Sequence, residues 1–165
     1  MEFENKVLSR TINGFLYDSG MTLATAESCT GGRVGECIIA TPGSSVYFKG
    51  GVISYTNEIK ERLLKVDHQL LEEKTAYCEE VAVAMVKGVI NIMNTDLGIA
   101  VTGIAGPGGA TPDIPVGTIW IACGDKDNVV TLKLTDDEGR DLNIAKATNQ
   151  ALQLFVSFLK DKLNK

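Results

Sequence analysis

A chain of 165 residues with 44% hydrophobic and 22% charged residues has the makeup of one globular domain, burying roughly 68–70% of its unfolded surface at this size. A formal net charge of −5 argues against a general polyanion-binding surface, because non-specific nucleic-acid affinity needs clustered Lys and Arg. The acidic start Met1-Glu-Phe-Glu-Asn5 is unlike a signal peptide and no apolar run reaches the ~18 residues that suggest a membrane span, so a cytoplasmic protein that does not act at membranes is expected.

Helical and strand patterns alternate along residues 1–165 without repeats, which predicts a single continuous α/β domain. Val7, Leu8, Ile12, Phe15 and Leu16 recur at helical spacing until Ser19-Gly20 breaks the pattern. Met21 to Thr25 reads as a short strand, followed by a helix from Gly32 to about Ile39. Thr41-Pro-Gly-Ser-Ser45 has strong turn chemistry, Gly51 to Tyr55 is β-rich, and Asn57 opens a short helix. The stretch Lys65-Val-Asp-His-Gln69 reads as a solvated linker. Val81, Met85, Val89, Ile92 and Met93 mark the buried face of a helix from about Glu79 to Asn94. Leu97 to Thr102 is the next strand, and a loop rich in Gly and Pro runs from Gly103 to Pro115. Thr118–Cys123 and Val129–Leu134 are joined too closely for a crossover helix, which predicts an antiparallel pair. A last helix from about Arg140 to Lys160 packs through Ile144, Ala145, Leu152, Phe155, Val156 and Leu159.

The segment Ala24-Thr-Ala-Glu-Ser-Cys-Thr-Gly-Gly32 delivers Ser28 to a glycine-softened turn at the expected start of a helix. Backbone N–H groups without helical partners cluster at such a place, so a nucleophilic hydroxyl and oxyanion donors can arise from a few residues. The alternative is plain N-cap duty for Ser28. The four cysteines, Cys29, Cys37, Cys78 and Cys123, contain no Cys-x-x-Cys pair and are expected to be reduced, mostly buried thiols rather than metal ligands. Cys29 adjoins the turn, yet no nearby His supports cysteine nucleophile chemistry. Ser157-Phe-Leu-Lys160 fits the Ser-x-x-Lys pattern but lies on a terminal amphipathic helix. Gly103-Ile-Ala-Gly-Pro-Gly-Gly109 lacks both the Gly-Lys-Ser/Thr ending of a P-loop and the dinucleotide fingerprint.

A base for Ser28 must come from His68, the sole histidine, or from a lysine. His68 sits in the polar 65–69 stretch and reads as a surface residue. Lys60 follows the strand ending at Tyr55 and falls in a first helical turn if Thr56 or Asn57 is the cap, where the macrodipole disfavours a cation. Glu58 and Glu61 oppose that effect, and an ordinary exposed lysine is the alternative.

Four motifs in order, Ala26-Glu-Ser-Cys-Thr-Gly-Gly32, Gly50-Gly-Val-Ile-Ser-Tyr-Thr-Asn-Glu-Ile-Lys60, Thr102-Gly-Ile-Ala-Gly-Pro-Gly-Gly109 and Pro115-Val-Gly-Thr-Ile-Trp120, make the chain from about Lys6 to Leu159 resemble the CinA carboxy-terminal domain family. That family is the nicotinamide mononucleotide deamidases, and the chain looks like its stand-alone form, without the molybdopterin-binding-like domain of longer CinA proteins. The resemblance implies a three-layer α/β/α sandwich with a mixed sheet, and hydrolysis of nicotinamide mononucleotide to nicotinate mononucleotide and ammonia, without metal or cofactor. Carried onto this sequence, it implies Ser28 as nucleophile, Lys60 as base, and Tyr55 as a residue that orients the lysine or relays a proton. The backbone amides of Thr30, Gly31 and Gly32 are the first candidates for the oxyanion hole.

For the ribose and phosphate, Ser44, Ser45, Thr102, Gly103, Gly106 and Arg140 are candidate binding residues, with turn or surface duty as the alternative for Ser44, Ser45 and Arg140. Glu27 has three open roles: holding Lys60, binding a ribose hydroxyl, or accepting hydrogen bonds within the turn. Family members commonly read His-Gly-Ala-Val-Ser where this chain has Lys74-Thr-Ala-Tyr-Cys78, and Gly-Asp-Arg where it has Glu138-Gly-Arg140. Arginines one turn later are replaced by Ile144 and Ala145. These departures keep a second function class open, a nucleotide- or partner-binding domain without turnover. Apolar segments near the glycine-rich loops predict a homodimer or larger homo-oligomer.

Overall fold

The computed structural model describes residues 1–163 of the chain. Helix α1 (Glu2–Leu16) leads into strand β1 (Leu23–Glu27), helix α2 (Arg33–Ile39), a 3-10 turn at Ser44–Val46 and strand β2 (Phe48–Ile53). Helices α3 (Asn57–Leu64), α4 (His68–Lys74) and α5 (Glu79–Met93) then precede strands β3 (Leu97–Gly103), β4 (Ile119–Gly124) and β5 (Val129–Leu134), and α6 (Arg140–Leu163) closes the order. The sheet runs β2-β1-β3-β4-β5. β1 is parallel to both β2 and β3, while β3, β4 and β5 are antiparallel. The antiparallel β4–β5 pair and the mixed sheet are as predicted. Among the described residues no helix is long and apolar enough to cross a membrane.

Period-2 alternation divides the core between the two faces of the sheet. Leu23, Ile99, Val101, Ile121 and Cys123 pack with Ile12, Ile38 and Phe155 of α1, α2 and α6. Ala24, Ala26, Ala100 and Ala122 face Val81, Met85 and Val89 of α5. The alanines are the reason α5 lies flat on the sheet: its own large side chains fill the gap. Close approach is required where α3 ends on α5, because a Cβ on Gly88 would overlap the Leu64 carbonyl oxygen. Gly88→Ala is therefore expected to destabilise by about 2 kcal/mol through forced displacement of α3, read as a lowered denaturation midpoint with an unchanged slope.

Three local expectations shift. β1 lies two residues later than the 21–25 reading, so Ser28 follows it directly. β2 spans 48–53 rather than 51–55, leaving Ser54 and Tyr55 beyond its end. The 65–69 stretch is no solvated linker: Asp67 caps α4 by accepting from the Leu70 amide at 3.0 Å, and Val66 and Leu71 are buried against the α5 side. Two apolar residues within polar surroundings are enough to dock a short helix once a partner helix is present. His68 itself is exposed and pairs with Glu61 at 2.8 Å.

Candidate active site

β1 is the point at which the sheet changes direction. The chain goes from β1 to β2 on one side, then returns through α3, α4 and α5 to β3 on the other. A crevice forms at the carboxyl ends of the strands at such a switch, and Ser28 opens it. The Ser28 amide donates to the Val101 carbonyl at 2.9 Å and the Ser54 amide to the Glu27 carbonyl at 2.9 Å, so the turn is pinned to both neighbouring strands. Ser28 is buried but not sealed, 7% exposed. It caps no helix: α2 starts five residues later, with Gly32 at its N-cap in a left-handed conformation, φ 102°.

Glu27 builds the turn. Its carboxylate accepts from Thr30 Oγ1 at 2.8 Å, Gly32 N at 3.2 Å, Val34 N at 2.9 Å and Gly35 N at 3.0 Å. A buried carboxylate is thus satisfied by one hydroxyl and the amides around the α2 N-terminus, where the helix end favours negative charge. The expectation that it holds Lys60 or a ribose is not met in this geometry, because its oxygens are fully engaged. The Gly32 amide goes to Glu27 and the Gly31 amide to the Ser28 carbonyl at 3.1 Å, which removes both from the expected oxyanion donors. Among those three, the Thr30 amide alone makes no hydrogen bond among the described residues.

Lys60 enters from α3. Thr56 caps that helix by accepting from the Ile59 amide at 3.3 Å, and one turn in, the lysine side chain is 1% exposed. Its Nζ lies 3.0 Å from Ser28 Oγ and donates to the Ser54 carbonyl at 2.8 Å. No carboxylate pairs with it among the described residues. Burial lowers the Lys60 pKa from its ordinary value to about 8. The largest cause is desolvation, while Glu58 pairs with Arg62 and Glu61 with His68 instead of with the amine. Cys29, next in the chain, is also buried, and its thiol is pushed up to about 12 by desolvation, so it is held protonated.

A cavity of about 260 Å3 opens over this pair, lined by Ser28, Lys60, Tyr55, Tyr77, Gly106 and Arg140 among others. Gly103 also lines it, at a place where a Cβ would collide with the Thr118 and Ile119 backbone. Arg140, at the start of α6, donates Nη1 to the Gly106 carbonyl at 2.7 Å and Nη2 to Tyr55 Oη at 3.4 Å. Tyr55 is exposed and faces Arg140 rather than Lys60. The lysine is oriented by the Ser54 carbonyl instead, because the strand ends before Tyr55 and turns its ring outward.

Ser44 and Ser45 do not join the site. They precede β2, whereas Ser28 follows β1, and parallel neighbours place these points at opposite ends of the sheet, ~17 Å apart for five residues of strand. Thr102 is fully buried, and its hydroxyl donates to the Ala76 carbonyl at 2.8 Å, bracing the 74–78 segment instead of lining the cavity. Ile144 joins the core, and Ala145 lines a separate groove with Asn5 and Arg33 instead of the cavity. Sequence reading missed Asn143, whose buried amide donates to the Ala105 carbonyl at 3.0 Å and to Asp137 at 2.9 Å, fixing the glycine-rich loop to α6. The available signal was an asparagine on the otherwise apolar face of a long helix. Tyr77 and Asn57, both at the cavity, were also missed.

The CinA C-terminal domain model matches residues 5–159. The CinA-like protein of Synechocystis sp. is 42% identical over 141 residues, 84% of this chain and 34% of that protein. The CinA-like protein of Amoebophilus asiaticus is 38% identical over 160 residues, 97% of this chain and 38% of its own length. The chain thus spans about a third of the length of the curated relatives it matches. Among solved structures, the competence/damage inducible protein CihA of Agrobacterium tumefaciens superposes with TM-score 0.90 at 30% identity, over 94% of this chain and 95% of that one. The CinA superfamily protein of Escherichia coli does so with TM-score 0.88 at 31% identity, over 93% and 90%. With the four motifs, the sheet order and a match over nearly its whole length, the chain belongs to the CinA C-terminal domain family.

Proposed function

We propose that this protein is an amidohydrolase that converts nicotinamide mononucleotide to nicotinate mononucleotide and ammonia in pyridine-nucleotide salvage, with Ser28 as nucleophile and Lys60 as base. The observation that carries this reading is a buried lysine amine, without a carboxylate partner among the described residues and lowered to about 8, lying 3.0 Å from a serine hydroxyl. Neutral lysine has two N–H groups and one lone pair. One N–H stays on the Ser54 carbonyl, and the lone pair takes the Ser28 proton as Oγ bonds to the carboxamide carbon. The carbonyl electron pair moves onto oxygen, where the Thr30 amide is our candidate donor. The Lys60 ammonium then protonates the amide nitrogen, the C–N bond breaks, and ammonia leaves an acyl ester on Ser28. Water attacks that ester, Lys60 takes its proton and returns one to Oγ, and the acid is released.

At about 260 Å3 the cavity lies just below the usual ligand-site range of about 300–1,000 Å3, so ring and ribose fill it and the phosphate stands at the mouth beside Arg140. Its guanidinium has donors left after Gly106 and Tyr55. The test is ammonia and nicotinate mononucleotide formation without added metal, measured against pH. Equal amounts of both products are expected. kcat/KM should rise about tenfold per pH unit below the Lys60 pKa of about 8 and level off above it. Folded protein that binds the nucleotide and releases no ammonia overturns the hydrolase reading in favour of a non-catalytic nucleotide-binding domain.

A further inference from the structure

One wall of the cavity has no part in the chemistry above. Much of the lining is backbone or small side chain, Ala76, Ala105 and the glycines. Of the bulky residues, Tyr55 and Arg140 are committed to each other. Tyr77 is not: it is half-buried, rests on the α5 core cluster, and its phenol makes no hydrogen bond among the described residues. Its backbone is nonetheless braced. The Tyr77 amide donates to Thr75 Oγ1 at 3.2 Å, and the preceding Ala76 carbonyl accepts from buried Thr102 at 2.8 Å. Thr75 holds a left-handed φ of 66° to make that turn. A ring presented from a rigid turn, at the edge of a cavity with small walls, suits a flat ligand group.

We infer that Tyr77 is a specificity-determining residue of this site, the surface against which an N-substituted pyridinium carboxamide lays its ring. The inference rests on the amidohydrolase reading. Stacking of a heterocycle on an aromatic side chain is favourable whatever the ring substituents, and a positively charged ring gains further from the negative face of the tyrosine. Aliphatic amides receive neither contribution.

The experiment is calorimetric binding of nicotinate mononucleotide, which has no amide to turn over, to wild type, Tyr77→Phe and Tyr77→Ala, with ribose 5-phosphate as the ring-free control. Tyr77→Ala is expected to weaken nucleotide binding about tenfold, while Tyr77→Phe, which keeps the ring, stays within about twofold. Ribose 5-phosphate should bind all three alike. Equal nucleotide affinity in wild type and Tyr77→Ala overturns the inference and leaves the hydrolase reading standing. So does an equal loss of ribose 5-phosphate binding in Tyr77→Ala, which marks damage to the turn rather than loss of a ring. A wild type that binds no nucleotide overturns both together.

Discussion

Lys60→Met is expected to lower ammonia release from nicotinamide mononucleotide by about 10³-fold, and Ser28→Ala by at least about 10⁴-fold, yet the lysine variant should be the more stable protein at pH 7. The folded amine titrates near 8 instead of 10.5. Between those values the unfolded chain holds a proton that the folded chain lacks, so wild-type stability rises with pH across that window. Below pH 8 the full penalty of burying the ammonium is present, about 3 kcal/mol from the size of the shift. Methionine removes it but leaves the Ser54 carbonyl and Ser28 hydroxyl without the amine, a cost of about 1–2 kcal/mol. The net is a gain of about 1–2 kcal/mol at pH 7, reversing above pH 10.5, where wild type has no ionisation penalty and keeps both hydrogen bonds. Urea denaturation at pH 7 and at high pH checks the crossover. A variant destabilised equally at both would show that the amine is not held at a lowered pKa.

Glu27→Gln is the second large effect. The carboxylate accepts four hydrogen bonds from a hydroxyl and three amides, and a glutamine amide sets a donor against some of those donors. Hydrogen bonds to a carboxylate contribute about 1.5–3 kcal/mol each, so an expected loss of about 3–6 kcal/mol follows even if the side chain re-orients to keep half of them. Activity should fall as well, because the clamp sets the turn that presents Ser28, and the fall should appear in kcat at temperatures where the variant is fully folded. Unchanged stability would mean that the clamp contributes nothing to the fold. A stable variant with raised KM alone would return Glu27 to substrate binding.

Much of the site was legible in the chain because its parts are local. The small-residue strand ending, the glycine pair and the Thr56 cap that starts the Lys60 helix each depend on a few adjacent residues, and each occurs where the pattern placed it, within two residues. Glu27 shows the limit. Three roles fitted its position, and the choice among them depended on where α2 begins. Because the helix starts at Arg33, its free amides point back at residue 27, and no spacing rule in the segment 26–32 distinguishes that from a carboxylate turned toward Lys60. Ser44 and Ser45 show another. Chain proximity to a strand says nothing about which end of the sheet a turn occupies until the strands are known to be parallel.

Composition, hydrophobic period and turn chemistry in the sequence by themselves determined the α/β class and the order of nearly every element and offered Ser28 and Lys60 as candidates, since these follow from local backbone preference and from residue type; the four-motif resemblance singled the two out as a pair. Tertiary structure alone decided that the two groups meet across 32 residues of chain, that burial lowers the amine, that Tyr77 and Arg140 line the same cavity, and that Asn143 ties its glycine-rich loop to α6. The reason is physical: desolvation and hydrogen-bond distance depend on what packs around a group, and the packing here comes from three helices and three strands that are distant in sequence.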